Sequence, residues 1–115
     1  MSLETDLIEA VGALCADRVF PDVAPFNTPR PYVTWQQVGG PVLNPIDGSV
    51  PGARGARIQI NAWADTRLAS MELMHDIEDA LRPAPLNGRP DGALIARYDE
   101  QTTLRGSQQD FTFWR

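Results

Sequence analysis

Apolar and polar side chains alternate along residues 57–64. Ile58, Ile60, Ala62 and Ala64 share one face, and Arg57, Gln59, Asn61 and Trp63 share the other, because successive side chains on a strand point to opposite sides. The pattern predicts a half-buried strand in an antiparallel sheet with one covered face. The period changes after Asp65 and Thr66, either of which offers an N-cap oxygen to the free N–H groups of a following helix. In that helix Ala69, Ser70, Leu73, Met74, Ile77, Ala80 and Leu81 gather into one arc, with Glu72, Asp76 and Asp79 opposite. Pro83 and Pro85 forbid continuation past Arg82. The apolar arc must cover something, and the Ile58/Ile60 face is nearest. Full burial of each large aliphatic contributes roughly 1.5–3 kcal/mol, so strand and helix together form the centre of the core. Leu68 and Met71 fall outside the arc, beside His75; they make either local packing or a contact patch for another subunit.

The rest of the chain fills in around this pair. Ser2 can cap a first helix whose stripe is Leu3, Leu7, Val11 and Leu14, with Ile8 and Cys15 alongside. Val19 and Phe20 begin a short strand. Pro21, Pro25, Pro29 and Pro31 then predict an extended, stiffened connection with no ladder pairing. Tyr32 to Val38 reads as a strand, with Val33 and Trp35 on one face. Gly39 to Arg54 holds three Pro, four Gly and no period, and is too long for a tight hairpin turn. It nevertheless carries Val42, Leu43, Ile46 and Val50. Such aliphatics need a partner surface, on the same domain or on a neighbour, and the neighbour is favoured.

Beyond the second helix, Leu86 to Asp91 is rich in turn residues. Ala93 to Tyr98 and Glu100 to Arg105 read as one long strand or two short ones, Gly106-Ser107 as a turn, and Gln109 to Arg115 as the last strand. In that strand Phe111 and Phe113 face one way, and Asp110, Thr112 and Trp114 the other. The expectation is one α+β domain over residues 1–115: an antiparallel sheet of about four strands with two helices packed on one face. The order is α-β-β-α-β-β, with a long loop between the second and third strands. Trp63 and Trp114 lie away from the aliphatic face, as rim aromatics or at a subunit interface.

Composition narrows the function classes. The chain has 115 residues, is 43% hydrophobic and carries a net charge of −5, with all ten positive charges on Arg. That content supports a real core, and an acidic chain without a basic run argues against sequence-specific nucleic-acid binding by phosphate neutralisation. Cys15 is alone, so no intrachain disulfide or Cys-rich zinc site is expected, and the thiol should be buried and inert. The N-terminus lacks a signal-peptide pattern, and no stretch reaches the ~18 apolar residues of a membrane span. An intracellular setting is expected.

Candidate chemistry is sparse. Glu72-x-x-His75 has metal-ligand spacing, but it occurs once and His75 is the only His; metal sites of that kind draw matched ligands from several helices. No base stands near a Ser or Cys nucleophile in a recognisable pattern, and Gly52-Ala-Arg-Gly55 lacks the Lys-Ser/Thr ending of a phosphate loop. The sequence therefore nominates no catalytic, cofactor-binding or metal-ligating residue, and no enzyme is expected.

Four segments, taken in order, resemble a known family. They are Val19-Phe20-Pro21-Asp22-Val23-Ala24-Pro25, Pro31-Tyr32-Val33, Gln59-Ile60-Asn61-Ala62-Trp63 leading into an acidic helix, and Asp110-Phe111-Thr112-Phe113-Trp114. Together they look like the small tail-completion (tail-terminator, head–tail joining) proteins of long-tailed bacteriophages and prophages. The resemblance implies a structural subunit, made in the bacterial cytoplasm and carried in the virion tail. It would form a ring, a hexamer, that caps the tail tube and lets DNA through. The implied partners are further copies of itself and the tail-tube and head-completion proteins. No cofactor and no membrane are implied. The residues nominated for subunit or partner contact are Val42, Leu43, Ile46, Val50, Arg54, Trp63, Leu68, Met71 and Trp114. The alternative from the residues alone is a dimeric, small-ligand-binding α+β regulatory domain.

Overall fold

The structure, a computed structural model, describes residues 2–49 and 52–115. Eight elements follow in order: α1 (Leu3–Gly12), β1 (Val19–Pro21), β2 (Tyr32–Gln37), β3 (Gly55–Ala64), α2 (Arg67–Leu81), β4 (Arg89–Pro90), β5 (Ile95–Tyr98) and β6 (Arg105–Trp114). The sheet runs β1-β2-β3-β6-β4, and β5 also pairs with β6.

This corrects the expected four-stranded antiparallel sheet of order α-β-β-α-β-β: six strands form a mixed sheet. One pair, β1 with β2, is parallel, with Val19 opposite Val33 and Pro21 opposite Trp35. Pro21 was expected to exclude ladder pairing. It is tolerated because β1 is an edge strand, whose outward side has no partner needing its missing N–H. The Pro-rich segment 22–31 returns the chain to the start of β2, so the two strands run the same way. Gly106 and Ser107 are likewise not a turn. They sit inside β6, opposite Trp63 and Ala62, and the chain reverses earlier, where Asp99 N donates to Leu104 O.

The central strands follow the alternation. Ile58, Ile60, Ala62 and Ala64 are buried, as are Phe111 and Phe113 beside them on β6. Ile58 stands directly opposite Phe111, and Ala56 opposite Phe113. Onto this face α2 lays Leu73, Met74, Ile77 and Leu81, all buried, and α1 adds Leu7 and Val11. Ser70 is fully buried on α2; its hydroxyl shares a hydrogen bond of 3.1 Å with Ser107 on β6 and donates to Arg67 O, so a polar residue in the apolar arc is satisfied. Between α1 and the chain's end, Arg115 reaches the buried carboxylate of Asp6 at 2.7 Å.

Both helices begin at side-chain caps. Ser2 Oγ accepts from Thr5 N, and Thr66 Oγ1 accepts from Ala69 N at 3.1 Å. Thr66→Ala removes the side-chain partner of that first-turn donor. The expected loss is about 1 kcal/mol of stability, read as a lower urea midpoint at unchanged slope.

Candidate assembly surfaces

With both helices on one face, the other face of the sheet is open. It is built from rows of paired residues: Tyr32, Trp63 and Gly106; Thr34, Asn61 and Gln108; Gln36, Gln59 and Asp110. Trp63 lies flat across Gly106, where a β-carbon would come within 2.7 Å of the indole. Arg57 meets Asp110 at 3.0 Å, and Arg97 on β5 donates to Gln108. Segments 22–28 and 99–104 wall this face into a hollow of about 670 Å³. Thr34, Gln59, Asn61 and Gln108 line it with amide and hydroxyl groups beside Tyr32 and Trp63, and Asp22, Arg30, Arg97 and Asp99 border it. Burial beside the hollow pushes the Tyr32 hydroxyl up from its ordinary pKa.

At the far end of the sheet, residues 38–49 leave β2 and residues 52–54 lead into β3, the two limbs of an arm. The arm has a fastened base. Val38 N donates to Arg57 O and Arg57 N to Gly39 O, both at 2.8 Å. Arg54 and Arg115 exchange backbone hydrogen bonds at 2.6 and 3.0 Å. Above the base every residue from 41 to 49 is exposed. Val42 is 70% exposed and Ile46 fully so. A turn at the tip is held by Gly48 N donating to Pro45 O and Ser49 N to Asp47 Oδ1; that backbone hydrogen bond lowers the Asp47 pKa. Between its limbs the arm encloses a second hollow of about 500 Å³, bordered by Pro41, Val42, Leu43, Pro45, Ala53 and Arg54. The molecule is correspondingly long, 52 Å against 24 Å in the other two directions, with a radius of gyration of 15.0 Å. A compact chain of this length comes to about 13 Å.

Of the nominated residues, Val42, Leu43, Ile46 and Arg54 all belong to the arm, and Trp114 stands near its base, half-exposed beside Val38, Arg57 and Arg89. Val50 lies outside the described residues. Trp63 is on the open face but in the other half of the sheet. Leu68, 68% exposed, and Met71 are on α2, in the helical layer. The nominated residues thus form an arm cluster and two separate patches.

Among the described residues six exposed large apolar side chains lie outside the nominated set: Ile8, Val23, Phe26, Val38, Ile95 and Tyr98. Val23 and Phe26, 77% and 94% exposed, stand on the segment after β1, and Ile95 is on β5. Phe26 sits between Pro25 and Asn27 in a stretch that cannot be helix or inner strand; an aromatic there has no core to enter, and that was the available signal. Among the described residues no group of three or more His, Cys, Asp or Glu is arranged to hold a metal, and no helix is long and apolar enough to cross a membrane. His75, Glu72 and Asp76 are exposed on α2. Cys15 is buried, and burial raises its thiol pKa.

An apolar arm held clear of its own core is a feature of proteins that work through contact with other chains. The family model described as "Tail completion protein gp17" matches residues 6–114, and the chain belongs to that family of phage tail-completion proteins. It is a structural tail protein. The fold is similar to a chain of the "Virion of native gene transfer agent (GTA) particle", with a TM-score of 0.61 at 20% identity over 98% of this chain and 90% of that one. It is also similar to the bacteriophage SPP1 gp17 protein, with a TM-score of 0.54 at 14% identity over 96% and 86%. None of the curated proteins matches the sequence.

Proposed function

We propose that this chain is the repeating subunit of a ring, a hexamer, that closes the head-proximal end of a tail tube and leaves a passage for DNA. The observation that carries the reading is the arm. Val42, Leu43 and Ile46 expose apolar surface on a fastened base that the described residues leave uncovered, and a neighbouring chain would bury it. The subunit is made in the bacterial cytoplasm and ends in the virion tail, against tail-tube and head-completion proteins. A net charge of −5 suits a passage that must not hold a polyanion. Its work is done by surfaces, with no reaction catalysed.

The test is assembly. Size exclusion with light scattering, at rising protein concentration and again with purified tail tubes, should give one discrete ring species, visible as an annulus by negative-stain microscopy. A chain that stays monomeric in both conditions overturns the reading, and a stable dimer that a metabolite further stabilises points to a regulatory domain instead.

A further inference from the structure

We infer that Phe26 is the anchor of the contact between neighbouring subunits, and that it enters the hollow in the arm of the next copy. The inference rests on the ring reading and adds to it the two surfaces that meet.

Phe26 is presented rather than left loose. Thr28 N donates to Pro25 O at 3.2 Å and Thr28 Oγ1 donates to the same carbonyl. Asn27 takes a positive φ of 62°. These are the marks of a tight turn with Pro leading and Asn in the left-handed position. The ring of Phe26 projects from it, 94% exposed, next to Val23 at 77%. With the backbone turn already fixed, docking has to order only the two side-chain torsions of a large aromatic, a small entropy cost for the area it can bury, and aromatics of this kind are enriched among interface anchors.

The arm offers the complementary shape. Its hollow of about 500 Å³ has Pro41, Val42, Leu43, Pro45 and Ala53 on its border, with Gln37, Asn44 and Ser49 among them, which gives a benzyl group room and a partly apolar wall to pack on. Charge agrees with shape. Asp22 borders the Phe26 side and Arg54 the arm side, and among the described residues neither belongs to an ion pair.

The two features cannot meet within one chain. Phe26 borders the hollow over the Tyr32/Trp63 half of the sheet, whereas the arm rises past Gly55. Trp63 and Gly55 are eight residue steps apart along β3, about 26 Å at 3.3 Å per step. An unlike pair of surfaces at opposite ends makes a head-to-tail contact, which closes into a ring when the rotation between copies allows.

Head-to-tail contacts have a distinctive test. Phe26→Asp destroys the anchor and spares the arm; Leu43→Asp destroys the hollow and spares the anchor. Both positions are exposed, so each variant should keep the wild-type circular dichroism and melting temperature. Each alone should lose the ring. Mixed one to one, the surviving anchor of the second fits the surviving arm of the first, so native mass spectrometry should show a heterodimer and nothing larger. Phe26→Ala should weaken assembly at least tenfold in midpoint concentration. Wild-type rings that persist in both variants, or a mixture without heterodimer beside a ring-forming wild type, overturn the contact and leave the ring reading standing. A wild type without rings overturns the ring reading, and the heterodimer then still decides whether the contact exists.

Discussion

Phe111→Ala is expected to remove about 3–5 kcal/mol of stability, the usual cost of deleting a buried ring and leaving a cavity. Phe111 is fully buried, faces Ile58 across the β3–β6 pair, and has the Phe113 ring 6.5 Å away. It lies in the sheet face that Met74 and Ile77 of α2 cover. Both helix and strand are long and regular, so neither can collapse far into the vacated space, which places the loss toward the upper end. Domains of this size have only about 5–15 kcal/mol in total. Urea unfolding should show the midpoint falling by a large fraction with the slope retained. A loss below about 1.5 kcal/mol, the level of a tolerated volume change, would mean that α2 is not seated on this face.

Those core positions were legible because period and burial agree. Ile58 and Ile60, then Leu73, Met74, Ile77 and Leu81, and the Phe111/Phe113 pair each repeat at the spacing of their element and are buried, whereas Ala69 at the start of the predicted arc is exposed. Thr66, one of two capping candidates, is the one that caps α2. The errors lie where local composition and long-range pairing conflict. Pro21 and Gly106 have poor intrinsic strand preference. Pro21 is carried by an edge position, and Gly106 by the indole of Trp63, which leaves no space for a β-carbon. Neither circumstance can be read from neighbouring residues. The parallel β1–β2 pair was hidden for a related reason: ladder direction depends on where segment 22–31 goes, and that segment has no period to show it. The two-residue strand β4 is too short to carry any pattern.

The surfaces divide in the same way. Aliphatics in an aperiodic loop are conspicuous, so Val42, Leu43 and Ile46 could be nominated from composition. Trp63 and Trp114 were placed correctly away from the aliphatic face, but they are far apart on it: Trp114 opposes Gly55 at the arm's base and Trp63 opposes Gly106 at the other end. For Phe26 the flanking residues signal exposure, since Pro25 and Asn27 keep it out of helix and inner strand, but the turn that fixes its direction is visible only in the structure.

Gly55→Val is expected to release the arm and abolish ring assembly while the body stays folded. A β-carbon at Gly55 would fall 2.3 Å from Pro41 O and 2.8 Å from the proline ring. The nearest atom is backbone carbonyl, which cannot swing aside as a long side chain would, so the limb 39–41 must move away from β3. Gly40 closes the other side: it takes a φ of 140°, and any β-carbon there would meet Arg57 N at 2.8 Å. The arm's direction is thus fixed by two close backbone approaches that require glycine. Overpacking of this kind costs about 1–3 kcal/mol. Much of that strain should be relieved by parting the Arg54–Arg115 backbone pair rather than by unfolding the core. Trypsin reports the change directly, because Arg54 is exposed but its backbone is engaged at both hydrogen-bonding groups. Cleavage after Arg54 should accelerate about tenfold or more, as 1.4 kcal/mol of easier opening gives, with the helical circular dichroism kept. Gly52→Val is the matched control, since no described residue lies within 4 Å of its β-carbon position; it should cleave and assemble as the wild type does. Intact rings in Gly55→Val beside faster cleavage would show that the arm's fixed direction is not what joins the subunits.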